Sequence, residues 1–398
     1  MVVETALDGI SILELCNGIS GPYCTKILAD YGADVVKVEA PGLGERSRSV
    51  GPFPHDEPNA EASGLFLYLN TNKKSVTLNM ESPAGQRLFR QMAALADVVV
   101  ENLGAVETSR LGVDYKTLSE INSGLVMTSL SAFGQTGPYR DFKATDLTVW
   151  ALSGILYECG EADREPLKIG SEQTEYVAGL YGALATLAAL FWRGHSGAGQ
   201  HLDVSSWEAF NTTEPYMTLL VSQMGGYVRK RAGIHWPWGI LPCKDGYVGF
   251  FFPTQVYWES LCVLMNMPEL RDKPEYETPL MRDQHAGEIN SIITSWLKDK
   301  TMEEVFHAAQ ELRLPLTPVP NMAQIAELPQ HRSRGYFVEV DHPVAGTLTY
   351  PGAMFRLDET PWLAGRAPLL GEHNHEVYVD RLGYTPDDLA MLRYDGVI

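Results

Sequence analysis

Residues 10–39 read ISILELCNGISGPYCTKILADYGADVVKVE, and this stretch decides the fold class. Its first six residues, 10–15, are mostly apolar and predict a buried strand. The turn NGISGP at 17–22 follows, and then a helix is expected over 23–31 and a second strand over 34–39. Two strands joined through a helix are typical of a parallel βαβ unit.

The same alternation continues along the N-terminal half of the chain. Strands are expected at 75–79, 97–101 and 125–130, with helices at 83–95 and 115–121. Strands that alternate with helices indicate a parallel sheet covered on both faces, so we expect a Rossmann-like, doubly wound α/β domain.

After residue 205 the pattern changes to shorter elements. A helical region over 207–231 ends in Arg229-Lys230-Arg231, and a second, smaller α/β domain is expected to follow. Its elements are a strand at 247–252 and helices around 258–265, 288–297 and 303–311. A proline-rich passage at 314–320 marks its end, and a strand-like tail from residue 332 closes with a helix over 386–393.

Composition excludes several classes of partner. The chain has 398 residues and a net charge of −19, which argues against binding to nucleic acid or to anionic membranes. Its five cysteines are scattered without CxxC spacing, as in a protein of a reducing compartment with neither a disulfide framework nor a zinc site. The N-terminus lacks the basic start of a signal peptide, so a cytoplasmic location is expected.

Several standard motifs are missing. There is no Walker A sequence, residues 18–21 do not form a GxGxxG fingerprint, and there is no GxSxG nucleophile elbow. His373-Asn374-His375 invites a metal interpretation, but two histidines in a loop without a third ligand favour a surface loop. No metal site is expected.

Residues 175–200, EYVAGLYGALATLAALFWRGHSGAGQ, place one carboxylate directly before an apolar helix. From 176 to 192 every residue except Thr186 is apolar or glycine, which predicts a buried core helix, since the run is short for a membrane span. Glu175 then has two interpretations. It either complements the helix dipole, or it is held near a dry site as a functional group.

Polar residues also collect where the predicted strands begin or end. Lys73 and Lys74 open one strand and could simply be a solvated edge. Glu101 and Asn102 end another strand at the carboxyl edge of the sheet, where open α/β folds bind ligands. Arg110 is expected near the start of the next element, where it could meet a phosphate. A Gly/Pro-rich loop at 131–139 leads to Lys143.

Six segments in register carry a family resemblance across nearly the whole chain. They are LDGISILEL with GPYCTKILADYGADVVKVEAPG (7–15 and 21–42), NTNKKSVTLN (70–79), ADVVVEN with RLG (96–102 and 110–112), SAFGQTGPY (131–139), TEYVAGLYGALATLAAL with SGAGQ (174–190 and 196–200), and APLLGEHNHEVYVDRLGY (367–384). Together they resemble the family III CoA-transferases, the group that includes formyl-CoA:oxalate and carnitine CoA-transferases. The resemblance implies a large Rossmann-like CoA-binding domain formed by residues 1–205 and 330–398. It also implies linker helices with a small α/β domain at 206–329, and an interlocked homodimer.

The resemblance also implies a mechanism for acyl-CoA metabolism. In that family a carboxylate, normally Asp, opens the helix that Glu175 opens here. It attacks an acyl-CoA thioester to form a mixed anhydride, and the CoA thiolate then forms an enzyme–CoA thioester before a second acid repeats the steps in reverse. The partners are therefore an acyl-CoA and a small carboxylic acid, with CoA as a substrate and no permanent cofactor. A dry pocket is required, because water would hydrolyse the anhydride.

Matched to the family pattern, several residues acquire expected roles. CoA contacts are implied for Leu78, Asn102, Leu103, Arg110 and Lys143, with Arg110 and Lys143 at phosphates and Lys73 and Lys74 as helpers. Ile19 falls near the acyl-binding turn. Trp236, Trp238 and Gly239 replace a Gly-rich loop over the carboxylate, and they indicate either a large apolar acyl group or packing at a domain interface.

Three further departures from the family pattern concern the reaction and CoA affinity. Glu175 replaces Asp and is one methylene longer, Gly104-Ala105-Val106 replaces Arg-Pro-Gly, and Ala40 replaces an adenine-side Arg. Two alternatives therefore stay open. One is a CoA-binding homologue with altered catalysis. The other is α-methylacyl-CoA racemase chemistry, which uses a His–Asp pair to exchange a proton. It is disfavoured because Thr145 stands at the position of that His and Glu175 at the position of that Asp, so the pair is absent.

Overall fold

The structure is a computed structural model that describes residues 4–161, 163–214, 236 and 238–398. The chain divides into two compact units. The first comprises Met1–Cys159, Leu167–Val228 and Tyr336–Ile398, and the second comprises Gly160–Pro166 and Arg229–Gly335. The basic residues at 229–231 and the loop residues His235 and Pro237 lie outside the described residues.

A six-stranded sheet forms the centre of the first unit. Its strands are β1 (Ser11–Leu15), β2 (Asp34–Glu39), β3 (Lys74–Thr77), β4 (Val98–Glu101), β5 (Val126–Ser131) and β6 (Gln200–Ser205). They lie in the order β3-β2-β1-β4-β5-β6, and every neighbouring pair is parallel. This is the strand order of doubly wound Rossmann-type sheets, with its crossover point between β1 and β4.

Helices of the first unit connect these strands and cover the sheet. They are α1 (Ser20–Asp30), α2 (Gly64–Leu69), α3 (Pro83–Leu95), α4 (Ala105–Leu111), α5 (Tyr115–Ile121), α6 (Asp146–Ser153), α7 (Ile155–Glu158), α8 (Gln173–Ser196) and α9 (Ser206–Asn211). Short 3₁₀ turns occupy Arg46–Ser49 and Pro54–Asp56. The expected helices and strands of residues 10–131 are all present, most with ends shifted by one to three residues.

The sheet strands are apolar on both faces because both faces are covered. Alternate residues such as Leu13, Val36 and Val99 join one buried cluster with Phe89 of α3. The residues between them, such as Ile12, Val35 and Val98, join a second cluster that includes residues of α1 and α8. Burial on both faces is what turns parallel strands into continuous apolar runs.

Helix α8 corrects one expectation. Its buried side chains include Thr174, Ala178, Gly182 and Ala189, so one face packs into the core as predicted. The opposite face is not buried in the single chain: Leu184 is 60%, Phe191 74% and Trp192 59% exposed. The predicted burial of this helix therefore holds for its inner face, whereas its outer face is exposed in the single chain. By length and composition α8 could also cross a membrane, but its inner face packs in this unit.

The C-terminal part of the first unit returns to the edge of the sheet. An antiparallel pair, β10 (Phe337–His342) and β11 (Gly346–Pro351), leads to a π-helix at Glu376–Arg381 and to the final helix, α16 (Pro386–Tyr394). Asn374 is buried, and its side chain bonds the N–H and hydroxyl of Thr77 at 2.8 Å each. The prediction of a surface loop is thus wrong for Asn374, which covers the edge strand β3.

The second unit has its own sheet and core. Strands β7 (Trp238–Pro242), β8 (Tyr247–Phe251) and β9 (Leu316–Pro318) form an antiparallel sheet in that order. Its helices are α10 (Gln255–Leu264), α11 (Pro279–Gln284), α12 (Ala286–Leu297), α13 (Met302–Glu311), α14 (Met322–Glu327) and α15 (Pro329–Ser333). Trp258, Phe250 and Ile293 belong to the buried cluster between the sheet and the helices.

Candidate functional site

Glu175 lies where the N-termini of two helices meet. It occupies the first turn of α8, and its Oε2 accepts the backbone N–H of Ser20, the first residue of α1, at 3.3 Å. The positive ends of both helix dipoles therefore face this carboxylate. The residue is neither fully buried nor fully exposed. The arrangement gives a carboxylate with a fixed outer end and limited contact with water.

A second carboxylate holds the start of α8 in place. Asp146, the first residue of α6, accepts both the N–H and the hydroxyl of Thr174, at 2.8 and 2.7 Å. Its other oxygen lies 2.6 Å from Nζ of Lys168. Because Thr174 directly precedes Glu175, this buried contact sets where the helix begins and which way Glu175 projects.

The pKa of Glu175 is raised above its usual value. Burial is the main cause, since it disfavours the charged form. Hydrogen bonds from Ser20 oppose the increase, whereas the negative charges of Asp146 and Glu172 add to it. The site therefore holds a carboxylate that is more basic than an exposed glutamate.

The turn between β1 and α1 is tied down from two sides. Asn102 at the end of β4 accepts the N–H of Asn17 at 2.8 Å and donates to its carbonyl oxygen at 2.7 Å. The Asn102 amide also reaches the hydroxyl of Ser20 at 3.4 Å. From the other side, Oε2 of Glu45 accepts the N–H of Gly18 at 3.1 Å. Asn102 thus positions the turn that contacts Glu175.

Glycines let α1 and α8 approach closely behind this contact. A Cβ on Gly179 would lie 2.6 Å from the carbonyl oxygen of Ser20, and one on Gly182 would lie 3.2 Å from Sγ of Cys24. Only a residue without a side chain fits at the first of these positions. The separation of Ser20 and Glu175 therefore depends on Gly179 being glycine.

A cleft opens at the carboxyl edge of the sheet beside the same turn. It has a volume of about 240 Å³ and is bounded by the ends of β1 and β2, by residues 78–81 after β3, and by α4. Cys16 and Asn17 line it, as do the expected CoA contacts Leu78 and Leu103 and the substituted position Ala40. The charged side chains on its wall are Glu39, Glu45, Glu81 and Glu107.

Arg110 lies in the last turn of α4, so the expectation that it stands near the start of an element is wrong. Its guanidinium is held between two carboxylates that line the cleft. It donates to Glu81 at 2.8 and 2.7 Å and to Glu107 at 2.9 and 2.5 Å. An incoming phosphate would have to share the guanidinium of Arg110 with these carboxylates or displace them from it.

Lys143 is exposed on the loop before α6. Its charge contributes to lowering the pKa of Glu107, although the hydrogen bond from Arg110 contributes more. Lys143 therefore belongs to the same neighbourhood as Arg110.

Lys73 and Lys74 do not reach this cleft. Lys73 is buried, and its Nζ donates to Glu14 at 2.9 Å, to the carbonyl of Pro22 at 2.8 Å and to Asn70 at 2.9 Å. All three of its protons are used, which contradicts the expected role at a phosphate. Lys74 pairs with Asp34 and Glu376 at 2.9 and 2.8 Å, away from the carboxyl edge.

The remaining expected pocket residues are divided between the two units. Ile19 lies in the turn of the first unit, next to Ser20, and is partly buried. Trp236 is buried in the second unit with its ring edge-on to Trp258, at 5.3 Å between centroids, and is therefore a core residue. Trp238 and Gly239 lie on β7, where Trp238 is half-exposed.

Sequence reasoning missed Ser20, Asp146 and the buried charges around Glu14. Glu14 bonds Lys37 at 2.6 Å and Lys73 at 2.9 Å, and its pKa is lowered to about 2: burial raises the pKa, and the charges of both lysines outweigh it. Asp146 could have been found from Thr145-Asp-Leu-Thr148, which forms a capping box at the start of α6. That cap also uses the side chain of Thr145. Within the described part of the chain, no cluster of His, Cys, Asp or Glu suits a metal ion.

The chain resembles known CoA-transferases in sequence and a solved structure in fold. The model of CoA-transferase family III matches residues 7–374. A formyl-CoA:oxalate CoA-transferase of Rhodopseudomonas palustris is 32% identical, with 99% of this chain and 97% of that protein covered. A succinyl-CoA–D-citramalate CoA-transferase of Chloroflexus aurantiacus is 32% identical, with 98% of both covered. The crystal structure of a CaiB/BaiF family protein of Brucella suis superposes with a TM-score of 0.86 at 27% identity, covering 95% of this chain and 99% of that one.

The chain belongs to CoA-transferase family III. Its enzyme class is therefore transferase, and the expected resemblance and enzyme class are confirmed.

Proposed function

We propose that the protein transfers CoA between an acyl-CoA thioester and a carboxylic acid, with the carboxylate of Glu175 as the nucleophile. The observation that carries this proposal is the position of Glu175 at the meeting point of two helix N-termini, bonded to Ser20. Cys16 and Asn17, in the same turn as Ser20, line the cleft that would hold CoA. One short segment thus links the carboxylate to the cleft.

The proposed reaction has four steps. An oxygen of Glu175 attacks the thioester carbonyl, the C–S bond breaks, and CoA leaves as a thiolate from a mixed anhydride. The thiolate attacks the Glu175 carbonyl, the first acid leaves as a carboxylate, and an enzyme–CoA thioester remains. The second acid attacks this thioester and releases the thiolate, giving a new anhydride. The thiolate attacks the carbonyl of the second acid, which regenerates Glu175 and releases the new acyl-CoA.

The surroundings of Glu175 suit these steps. Partial burial limits attack by water on the anhydride. The raised pKa makes the ionised carboxylate a better nucleophile than an exposed glutamate would be. Backbone N–H groups at the start of α1 are the kind of donor that stabilises an oxyanion next to the acyl carbon.

CoA would lie in the cleft at the carboxyl edge. Leu78 and Leu103 would contact it from the wall, and Asn102 would support it indirectly by fixing the turn. Arg110 and Lys143 would meet its phosphates at the rim, after Arg110 gives up part of its bonding to Glu81 and Glu107. Ile19 would contact the acyl group; Trp238 and Gly239 stay candidates for the same role.

We also propose that two copies of the chain associate through the exposed face of α8. This face carries Leu180, Leu184, Phe191 and Trp192, which are between 50% and 74% exposed in the single chain. Large aromatic and aliphatic side chains on one helix face are typical of an interface. The interlocked form of such a homodimer is part of the proposal. A cytoplasmic location is proposed as well, since all five cysteines are free.

The test is to trap the acylated enzyme. The purified protein is incubated with a panel of thioesters that includes formyl-CoA and succinyl-CoA, treated with hydroxylamine, and analysed by intact mass and peptide mapping. We expect a hydroxamate at Glu175 that is absent from Glu175→Gln. Glu172→Gln, which changes an exposed carboxylate three residues away, is the matched control and should still form the hydroxamate at Glu175.

The outcomes separate the alternatives. A hydroxamate at another residue, or in Glu175→Gln, would move the nucleophile elsewhere. CoA binding without any adduct across the panel would support a CoA-binding homologue with altered catalysis and would end the transferase proposal.

A further inference from the structure

Ser20 makes two contacts with the side chain of Glu175. Its backbone N–H donates to Oε2 at 3.3 Å, and its hydroxyl is close enough to the carboxylate to oppose the rise in the pKa of Glu175 that burial causes. Ser20 is almost completely buried, so water does not compete strongly for its hydroxyl group. Both contacts stabilise the ionised form of Glu175.

The hydroxyl of Ser20 has a defined direction. It accepts a hydrogen bond from the Asn102 amide at 3.4 Å, and this amide is itself fixed by its reciprocal pair with Asn17. An oxygen that already accepts from Asn102 has its own proton left to donate. The natural acceptor is the carboxylate of Glu175. The result is a chain of hydrogen bonds from the end of β4, through Ser20, to the nucleophile.

These hydrogen bonds matter because the side chain of Glu175 is longer than that of the aspartate usual in the family. A glutamate reaches one C–C bond, about 1.5 Å, further from the backbone than an aspartate. It also has one more rotatable bond, so an unsupported glutamate carboxylate samples more positions than an aspartate carboxylate. Oε2 of Glu175 lies 3.3 Å from the backbone nitrogen of Ser20. An aspartate carboxylate at this position would lie about 1.5 Å closer to α8 and would no longer reach Ser20.

We propose that Ser20 is the positioning residue of this enzyme, and that its hydroxyl holds the longer nucleophile in its reactive place and in its ionised form. The inference rests on the proposed role of Glu175 and goes beyond it, since it assigns a residue that acts only through Glu175. Asn102 then acts through Ser20, and not as a direct ligand of CoA.

The experiment measures formation of the enzyme–CoA thioester in a single turnover as a function of pH. In wild type the rate should rise with pH as Glu175 loses its proton. Ser20→Ala removes a hydrogen bond to the charged form, so the rise should move to higher pH. We expect about a tenfold loss of rate on the acidic side, where lost positioning and the shifted titration both act, and a smaller loss on the alkaline plateau, where only lost positioning acts. Ser20→Thr keeps the hydroxyl and should restore the acidic side.

A double-mutant cycle adds a second readout. In a Glu175→Asp background the carboxylate falls short of Ser20, so adding Ser20→Ala should cost much less on the acidic side than it does in wild type. Far-UV circular dichroism and the melting temperature of each variant check that the fold is intact.

The inference is overturned if Ser20→Ala and wild type have superimposable pH profiles, or if Ser20→Ala lowers the rate equally at all pH values. If wild type forms no thioester at all, the proposed function itself fails, and that outcome is distinct from either of these.

Discussion

The close approach of α1 and α8 makes Gly179→Ala the most informative single substitution behind the site. A Cβ at this position would lie 2.6 Å from the carbonyl oxygen of Ser20 and 3.1 Å from two atoms of Tyr23. The carbonyl is backbone and cannot rotate away. The two helices must therefore separate by about 0.8 Å to reach ordinary van der Waals contact.

This separation has two consequences of different size. Overpacking of this kind destabilises a protein by about 1–3 kcal/mol. The same displacement would lengthen the 3.3 Å bond between Ser20 and Glu175 beyond hydrogen-bonding distance. Because a misplacement of about 1 Å at a reacting group can lower a rate by roughly a hundredfold, the loss of CoA transfer should exceed what the change in stability explains.

The matched control is Gly194→Ala in the same helix, where an added Cβ meets nothing within 4 Å. That variant should be neutral or more stable by up to about 1 kcal/mol, since alanine favours helix, and should keep full activity. Stability is measured by urea unfolding and activity by single-turnover thioester formation. If Gly179→Ala matches Gly194→Ala in both assays, the account of the helix contact is refuted.

Three further predictions concern the cleft, the core and the outer face of α8. Glu81→Gln and Glu107→Gln should each raise CoA affinity by roughly threefold at low salt, measured by calorimetry, because they free Arg110 for a phosphate; weaker binding would contradict this. Glu14→Gln should destabilise the fold by about 3–5 kcal/mol at neutral pH, because two buried lysines lose their shared carboxylate. The folded-state pKa of Glu14 is lowered to about 2, so its contribution is full above the unfolded value of 4.5 and is lost as pH falls towards 2; an equal gap between wild type and variant at pH 3 and pH 7, in urea unfolding, would be incompatible with this. Leu184→Glu should convert a dimer to monomers in light scattering, whereas a monomeric wild type would remove the proposed interface.

The parallel sheet could be predicted because its strands are apolar on both faces. Segments such as residues 97–101 and 125–130 are largely apolar, which predicts that they are buried. The helices between the strands indicate that neighbouring strands run parallel. Strand β6 was not predicted, because QHLDVS is largely polar and lies at the edge of the sheet. Sequence pattern carries least information where a strand is only half covered.

The site was predictable to a lesser degree, since its contacts join distant parts of the chain. Glu175 stood out because a carboxylate precedes an apolar helix, but its contact with Ser20 spans 155 residues and has no local signal. Lys73 looked like a phosphate ligand because its buried partner Glu14 lies on a different strand. Helix α8 is apolar on all sides, which predicts that it is buried. The sequence does not show whether each side packs against the chain's own core or against another molecule.

The most direct test of the central claim follows one oxygen atom. In the proposed reaction the acceptor acid leaves one of its carboxylate oxygens on Glu175 in each turnover. The enzyme is therefore run with an acceptor acid labelled with ¹⁸O in its carboxylate, quenched, digested and sequenced by mass spectrometry. We expect the label at Glu175 and not at Glu172, which lies on the same peptide three residues earlier. CoA transfer that proceeds without any label on Glu175 would contradict the account.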